Sequence, residues 1–406
     1  MKKKKILLIT ESKFPPAIRV LKVARSLNQK GYECAVLSPL FSNQKKYEVW
    51  KKIKIFRDES LHKGFLDKLY LKLTLFSPRW FFVIGKVIKI YQPDAIHIFD
   101  IWLGKSTFAA TKSLPVIIDL QENMPAAVIQ YLKDVKGIRY VINKIFFNYR
   151  RLLFYEKFLL NKASLVIVVA NEAYKRVLIE HKELPKKKLI LVENLESKEF
   201  IKIPILKKKV VSRKYFNITY MGSFGPHRGL DTLIRSFIYI KKTDHNIKLN
   251  LVGAEENIFL DYLKKLIISH DLSKYVKIIG WINAKDVMSY ISQSDICIVP
   301  HNSNHHTDTT LPWKLTQYML AKKPVLVSSS PPLARIVKKA SAGMVFKAND
   351  SKDCANKILI MKENYKDLLK YGKNGHKYVL KEGNNWESKS SVHLIRAYDK
   401  LLKNSN

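Results

Sequence analysis

Short apolar runs recur along the chain: Ile6–Thr10, Cys34–Ser38, Ile53–Phe56, Ala95–Phe99, Val116–Asp119, Leu165–Ala170 and Leu189–Val192. Runs this short and this apolar suit strands buried on both faces. Between them lie stretches whose apolar positions return every three or four residues. Ile18–Leu27, closed by Gly31, has the spacing and the following glycine of an amphipathic helix. Lys198–Lys214 breaks the rhythm: it is lysine-rich and aperiodic, and reads as a linker. A second series follows, with runs at Phe216–Met221, Ile247–Val252, Val276–Ile279, Ile296–Pro300, Val325–Ser328 and Gly343–Phe346, and a helix over about 230–240. Strands alternating with helices predict parallel sheets covered on both faces. The pattern therefore predicts an α/β chain of two doubly wound domains, residues 1–198 and 199–406. A last helix over about 388–403 is expected to pack back toward the first domain. A chain of 406 residues is also too long for one ordinary core.

Two segments fit this rhythm poorly. Phe65–Tyr91 and Ile138–Leu160 are long and mix aromatic, aliphatic and basic residues. The second reads I-R-Y-V-I-N-K-I-F-F-N-Y-R-R-L-L-F-Y-E-K-F-L-L. It suits either a long buried helix with a basic edge or a membrane-surface helix with that edge on lipid phosphates.

The stretch Pro300–Pro324 organises the second half. Asp295-Ile-Cys-Ile-Val299 is a buried strand that Pro300 ends, and a polar loop follows. A helix is expected next, capped by Thr309 or Thr310, with Pro312 in its first turn and Leu315, Tyr318 and Met319 at helical spacing. Pro324-Val-Leu-Val-Ser328 is the next strand. This βαβ unit places its loop at the carboxyl end of a strand, where open α/β sheets hold ligands, and a helix start there suits a phosphate.

Charge changes the picture. The net charge is +39, shared as +21 over residues 1–195 and +18 over the rest, so it is no basic tail. Solvated surface lysine accounts for part of it, and Lys outnumbers Arg 60 to 13. The remainder implies an anionic partner: a phosphorylated donor, an anionic membrane surface or nucleic acid. No nucleic-acid motif is present, and the aromatics fall at core-like positions. Cys34, Cys297 and Cys354 are far apart, which argues against disulfides and a cysteine metal site. No apolar run approaches the roughly 20 residues of a membrane span. Met-Lys-Lys-Lys-Lys before Ile6 looks like a signal-peptide start, but Thr10–Lys13 ends its apolar segment too early. The expectation is a cytosolic protein.

Tyr220-Met-Gly-Ser-Phe-Gly-Pro-His-Arg-Gly-Leu230 sets Gly222 and Gly225 after a strand and Arg228 before a helix. A glycine turn there admits an anion to the backbone, and an arginine can bind it in bidentate fashion. Leu251-Val-Gly253-Ala and Ile279-Gly280-Trp-Ile282 also place small residues after strands. His301, His305, His306 and Asp308 are dense enough to suggest zinc, but their loop is not the helix that an i,i+4 histidine pair requires. No D-x-D pair appears, so neither a metal nor another cofactor is expected.

The order of these motifs resembles the retaining glycosyltransferases of family four (glycosyl transferases group 1) over nearly the whole chain. The likeness is strongest in Y-M-G-S-F-G-P-H-R-G-L-D-T-L-I, in H-T-D-T-T-L-P-W-K-L-T-Q-Y-M-L-A-K-K-P-V-L-V and in Asn385-Trp-Glu387. It implies the GT-B fold, two Rossmann-like domains facing across a cleft. By position it implies that Gly222, Ser223 and Arg228 hold a donor diphosphate, and that Gly280, Trp281 and Ile282 border the base. Gly253, Thr310, Leu311 and Lys314 would complete the donor site. Thr309 and Gln317 occupy the places of the family's paired glutamates. Gln317 can still bond a ribose hydroxyl, whereas Thr309 supplies no carboxylate and its neighbour Asp308 can. Asp119-Leu-Gln-Glu-Asn-Met-Pro125 resembles the aspartate–x–histidine–glutamate–asparagine segment, which puts Gln121 and Glu122 near the reacting centre. Phe14-Pro-Pro-Ala-Ile-Arg-Val20 resembles the first loop, with Pro16 and Arg19 toward the acceptor.

The function implied is transfer of a sugar from a nucleotide-sugar, with retention and without metal, to a lipid-linked or cell-surface glycan. The enzyme would be apposed to the inner face of an anionic membrane. The departures at 121, 309 and 317 keep a sugar-nucleotide epimerase or an inactive homologue as alternatives.

Overall fold

The computed structural model describes residues 3–62, 64–206 and 210–403; Met1 and Lys2 of the N-terminal lysine run, and Lys207–Lys209 of the expected linker, lie outside the described residues. The chain divides into two compact units. The first comprises Met1–Ile129, Gly137–Asn194 and Lys389–Asn406, the second Gln130–Lys136 and Leu195–Ser388.

The first unit is built on β1 (Lys5–Ile9), β2 (Glu33–Pro39), β3 (Tyr47–Trp50), β4 (Ile53–Asp58), β5 (Ala95–Phe99), β6 (Val116–Leu120), β7 (Leu165–Val168) and β8 (Leu189–Leu191). Their order is β3-β4-β2-β1-β5-β6-β7-β8, and only β3 runs antiparallel to its neighbour. The order reverses between β1 and β5, so the carboxyl ends of these strands form the switch point at which such sheets bind ligands. Ile6, Leu7, Leu8 and Ile9 are wholly buried, as a two-sided sheet requires. The strand β3 is not legible in the sequence. It lies at the sheet edge, half exposed, and its turn uses Lys51 and Lys52, at φ 51° and 63°, where Asn-Gly would have signalled a hairpin.

Both long segments are broken helices. Phe65–Thr74 and Pro78–Tyr91 are separate, because Ser77 caps the second through the Trp80 N–H and Pro78 occupies its first position. Ile138–Phe146 and Tyr149–Lys162 are likewise separate, with Asn148 accepting from the Arg151 N–H. The expected single long helix over Ile138–Leu160 is therefore two. Its first part buries no residue at all, while its second part buries Leu152, Tyr155, Leu159 and Leu160.

The second unit holds an all-parallel sheet of β9 (Phe216–Met221), β10 (Ile247–Ala254), β11 (Val276–Gly280), β12 (Ile296–Val299), β13 (Val325–Ser328) and β14 (Gly343–Phe346), ordered β11-β10-β9-β12-β13-β14. Helix residues Leu233, Ile234, Phe237 and Leu263 bury against Ile218, Leu249 and Leu251 of the sheet. The switch point lies between β9 and β12. The three cysteines are buried and unbridged.

Candidate functional site

In the second unit the carboxyl end of β9 turns at Gly222, and that turn meets a buried lysine. Lys314 is 7% exposed; its Nζ donates to Tyr220 Oη at 3.0 Å and lies 4.1 Å from the centre of that ring. Tyr220 Oη donates in turn to the Ser223 carbonyl at 2.9 Å. Among the described residues no carboxylate pairs with Lys314. Burial, and then the charge of Arg228, hold its amine well below the usual lysine range. Glycine is required at this turn. A Cβ on Gly222, at φ 138°, would lie 2.5 Å from Lys314 Nζ, and one on Gly253, at φ 106°, would lie 2.7 Å from the Gly222 carbonyl oxygen. Arg228 Nη1 lies 3.3 Å from His301 Nε2. Burial and the neighbouring Arg228 and Lys314 charges keep His301 neutral, far below the usual histidine range. Its Nε2 thus accepts from Arg228, and Nδ1 carries the proton. Two cationic side chains and a glycine turn converge on one desolvated place, chemistry that suits a diphosphate.

The loop after β12 is tied by its own side chains, and this shifts the helix that follows. Thr309 Oγ1 donates to the carbonyls of His305 and His306, and Thr310 Oγ1 donates to His306 O at 2.8 Å. Neither threonine therefore caps a helix. Thr307–Thr309 is a short 3-10 turn, and the helix runs only over Lys314–Leu320, with Trp313 at its N-cap and no side-chain cap. The expected cap at Thr309 or Thr310 therefore does not form, and the positive groups gathered here are the Lys314 and Arg228 side chains. Asp308 accepts from Ser303 at 2.7 Å through one oxygen, while its buried Oδ1 has no hydrogen-bond partner. A carboxylate oxygen thus sits beside Thr309, where Thr309 itself supplies none. Leu311 is fully buried, and its side chain belongs to the core. Trp281, beyond the edge strand β11, is 67% exposed, and its ring face is open to stacking. Ile282 beside it is half-buried, and Gly280 and Ser223 are exposed. Gln317 is half-buried and donates to Glu196 at 2.6 Å.

His227 and His306 pack with ring centroids 5.0 Å apart, and Tyr131 sits edge-on to both. Among the described residues these histidines belong to no group of three ligand atoms within 4.8 Å of one another. Among the described residues, the group of three ligand-type side chains with atoms within 4.8 Å is Glu156, Glu180 and His181 in the first unit. There Arg176 already balances the charge, at 2.7 Å from Glu156 and 2.6 Å from Glu180.

In the first unit Gln121 and Glu122 line a cleft of about 260 Å³ with Thr10, Glu11, Ser12, Phe99, Asp100, Trp102 and Met124. It lies at the switch point, over the ends of β1, β5 and β6. Asp100, which sequence reasoning did not single out, is its central group. Its φ is 65°, it accepts the Gln121 N–H at 3.0 Å, and Gln121 Nε2 stands 3.5 Å from its other oxygen. Burial, reinforced by Glu122 and Asp119, pushes its carboxyl well above the usual range. The available signal was an acid directly after an apolar run, Ile98-Phe99-Asp100. Pro16 is exposed. Arg19 is not available to an acceptor: it is 2% exposed, and its Nε and Nη2 lie 2.7 Å and 3.0 Å from the Asp119 carboxylate. Although burial opposes ionisation, Arg19 and then His97 hold Asp119 below the usual carboxylate range. His97 passes the network to Tyr398 at 2.7 Å.

Comparison with known proteins bears on both halves. Residues 202–378 match the family Glycosyl transferases group 1, and residues 17–195 match Glycosyltransferase Family 4. No curated protein sequence matches the chain. Solved structures share the fold, GT-B. Sucrose-phosphate synthase from Thermosynechococcus elongatus superposes with a TM-score of 0.80 at 18% identity, over 99% of this chain and 100% of that one. Anabaena HepE in complex with UDP and glucose gives 0.68 at 14% identity, over 99% and 100%. WaaG, a glycosyltransferase of lipopolysaccharide biosynthesis, gives 0.67 at 12% identity, over 98% and 99%.

Proposed function

Taking this chain as what its fold and two family matches make it, a GT-B glycosyltransferase of group 1, we propose that it moves a sugar from a nucleotide-sugar to a lipid-linked or cell-surface glycan, with retention and without metal. The observation that carries the donor is the desolvated Lys314 at the Gly222 turn, next to Arg228. Burying an amine without a carboxylate costs stability. A diphosphate offsets that cost by restoring the ammonium in a charge-assisted contact. Such cations stabilise the negative charge that grows on the leaving diphosphate as the glycosidic bond breaks, which is the work a metal would otherwise do. HepE was solved with UDP and glucose, which supports a nucleotide donor of this class. Trp281 suits the base, Asp308 a sugar hydroxyl, and the Asp100 cleft the incoming acceptor hydroxyl.

The membrane part of the reading rests on one face of the first unit. Helices Phe65–Thr74 and Ile138–Phe146 pack together. They expose Phe65 (81%), Leu66, Leu73, Ile138 (71%) and Ile145, with Lys68, Arg139 and Lys144 exposed among them. Apolar anchors within a basic collar suit an anionic lipid surface. WaaG's place in lipopolysaccharide biosynthesis supports an acceptor of that kind. Among the described residues no helix is long and apolar enough to cross a membrane.

The test is release of nucleoside diphosphate from a panel of sugar nucleotides, with and without lipid-linked acceptors. Acceptor-dependent release with the anomeric configuration kept is expected. Interconversion of the sugar nucleotide without release would establish an epimerase instead.

A further inference from the structure

A carboxylate reaches Gln317 from a distant part of the chain. Glu196, 5% exposed, follows β8 in sequence and is held by its backbone on both sides. Its N–H donates to Thr316 Oγ1 at 3.0 Å, and its carbonyl accepts the Trp386 N–H at 2.9 Å. Glu387, next to Trp386, accepts the Lys198 N–H at 2.9 Å and so secures the same segment. The Glu196 side chain is placed with equal definition. One oxygen accepts its neighbour Ser197's N–H at 2.7 Å, and the other accepts Gln317 Nε2 at 2.6 Å.

That last contact decides which way the Gln317 amide faces. An ionised carboxylate only accepts hydrogen bonds, so the NH₂ branch must face it, and two oxygens at this distance would repel. The carbonyl branch, Oε1, is thereby turned away from Glu196. Among the described residues it has no hydrogen-bond partner, and the residue is half-buried rather than sealed. A glutamine whose orientation was free would present donor and acceptor alternately. This one is fixed as an acceptor, as a glutamate would be, but without a second negative charge beside Glu196. We propose that Glu196 is a positioning residue that locks Gln317 as a hydrogen-bond acceptor for a ribose hydroxyl of the donor nucleotide, so that the pair reads the ribose.

The proposal rests on the nucleotide-sugar reading above, and its test separates the two. Binding of UDP, ADP and GDP to the full chain is measured by calorimetry, and the best ligand is compared with its 2′-deoxy and 3′-deoxy forms. Wild type is expected to prefer the ribose form over one deoxy form by about tenfold, one lost hydrogen bond of about 1.4 kcal/mol. Glu196→Gln, isosteric and with the wild-type melting temperature, should lose most of that preference, because the Ser197 N–H holds the new amide's oxygen and its NH₂ branch then turns the Gln317 carbonyl toward residue 196. Gln317→Glu should bind the nucleotide at least about tenfold more weakly, because two carboxylates then meet at hydrogen-bond distance. The swap, Glu196→Gln with Gln317→Glu, should return affinity and preference to within about twofold of wild type, the spread of substitutions that do not interact. A merely structural role for Glu196 would not produce that rescue. Wild-type preference retained in Glu196→Gln, or a swap no better than Gln317→Glu alone, overturns the proposal while the donor reading stands. A wild-type chain that binds none of the nucleotides overturns both.

Discussion

The Lys314 amine lies 3.0 Å from the Tyr220 hydroxyl and within 2.5 Å of where a side chain on Gly222 would begin. A single methyl group at residue 222 would therefore collide with the group that most needs an anion. The same burial that makes Lys314 unfavourable in the empty fold would strengthen its attraction to the proposed phosphate, because the local dielectric is low.

Lys314→Met should separate stability from binding. Removing a desolvated amine should raise Tm by about 2–4 °C, roughly 1 kcal/mol for a unit of this size. It should also weaken nucleoside diphosphate binding by at least about tenfold, a charge-assisted contact of 1.5–3 kcal/mol. The pH dependence has a definite sign. Above its lowered pKa the free protein holds Lys314 neutral, so binding must take up a proton, and affinity falls as pH rises. That fall should begin well below 10.5, the ordinary lysine value, and should vanish in Lys314→Met. Titration calorimetry in buffers of different ionisation heat reads the proton directly.

Arg228→Ala removes the second cation of the glycine turn. Nucleoside diphosphate affinity should drop at least about tenfold with the fold intact. An unaltered dissociation constant would take Arg228 out of the site.

Turnover should survive dialysis against excess chelator if, as proposed, Lys314 and Arg228 meet the charge of the leaving diphosphate. Loss of activity that manganese, magnesium or zinc restores would show that a metal takes part after all.

The first unit's exposed face should carry the chain to lipid. Sedimentation with vesicles containing anionic lipid is expected, little with neutral vesicles, and release by roughly half-molar salt, since screening shortens the reach of each base to a few ångströms. Phe65→Ser with Ile138→Ser should weaken binding to anionic vesicles while leaving nucleotide affinity unchanged. Equal binding to neutral vesicles would point to apolar insertion, and no binding to either would remove the membrane surface from the reading.

Arg19→Met tests the reassignment of that arginine. Leaving Asp119 buried without its partner should cost about 3–5 kcal/mol in urea unfolding. Asp119 is depressed in the folded protein, so its contribution is present above the ordinary aspartate value and is lost as pH falls through the folded pKa. In the variant the loss should move to higher pH. Wild-type stability with a weakened acceptor KM would return Arg19 to the acceptor site.

What the sequence determined by itself is the scaffold. Runs such as Ile6–Ile9 and Ile296–Val299 are strands because no other element buries so short an apolar segment on both faces, and their alternation with helices leaves a parallel sheet as the outcome. The helical spacing of Leu315, Tyr318 and Met319 also marked the helix Lys314–Leu320. Its start was misplaced because the hydroxyls of Thr309 and Thr310, ordinary capping groups, turn back to the carbonyls of His305 and His306. Local chemistry offered both choices, and the loop's folded path selected one. What only tertiary structure decided is where each charge finds its partner. Arg19 read as an acceptor contact until Asp119 was brought to it across the sheet. Asp100 was one acid among many until burial beside Glu122 raised its pKa. Gln317 was only a departure from a family pattern until Glu196 fixed its amide. Periodicity reports which side of an element is buried, and that is a local property. The protonation and orientation of a polar group depend on dielectric and partners that come from residues far away in the chain.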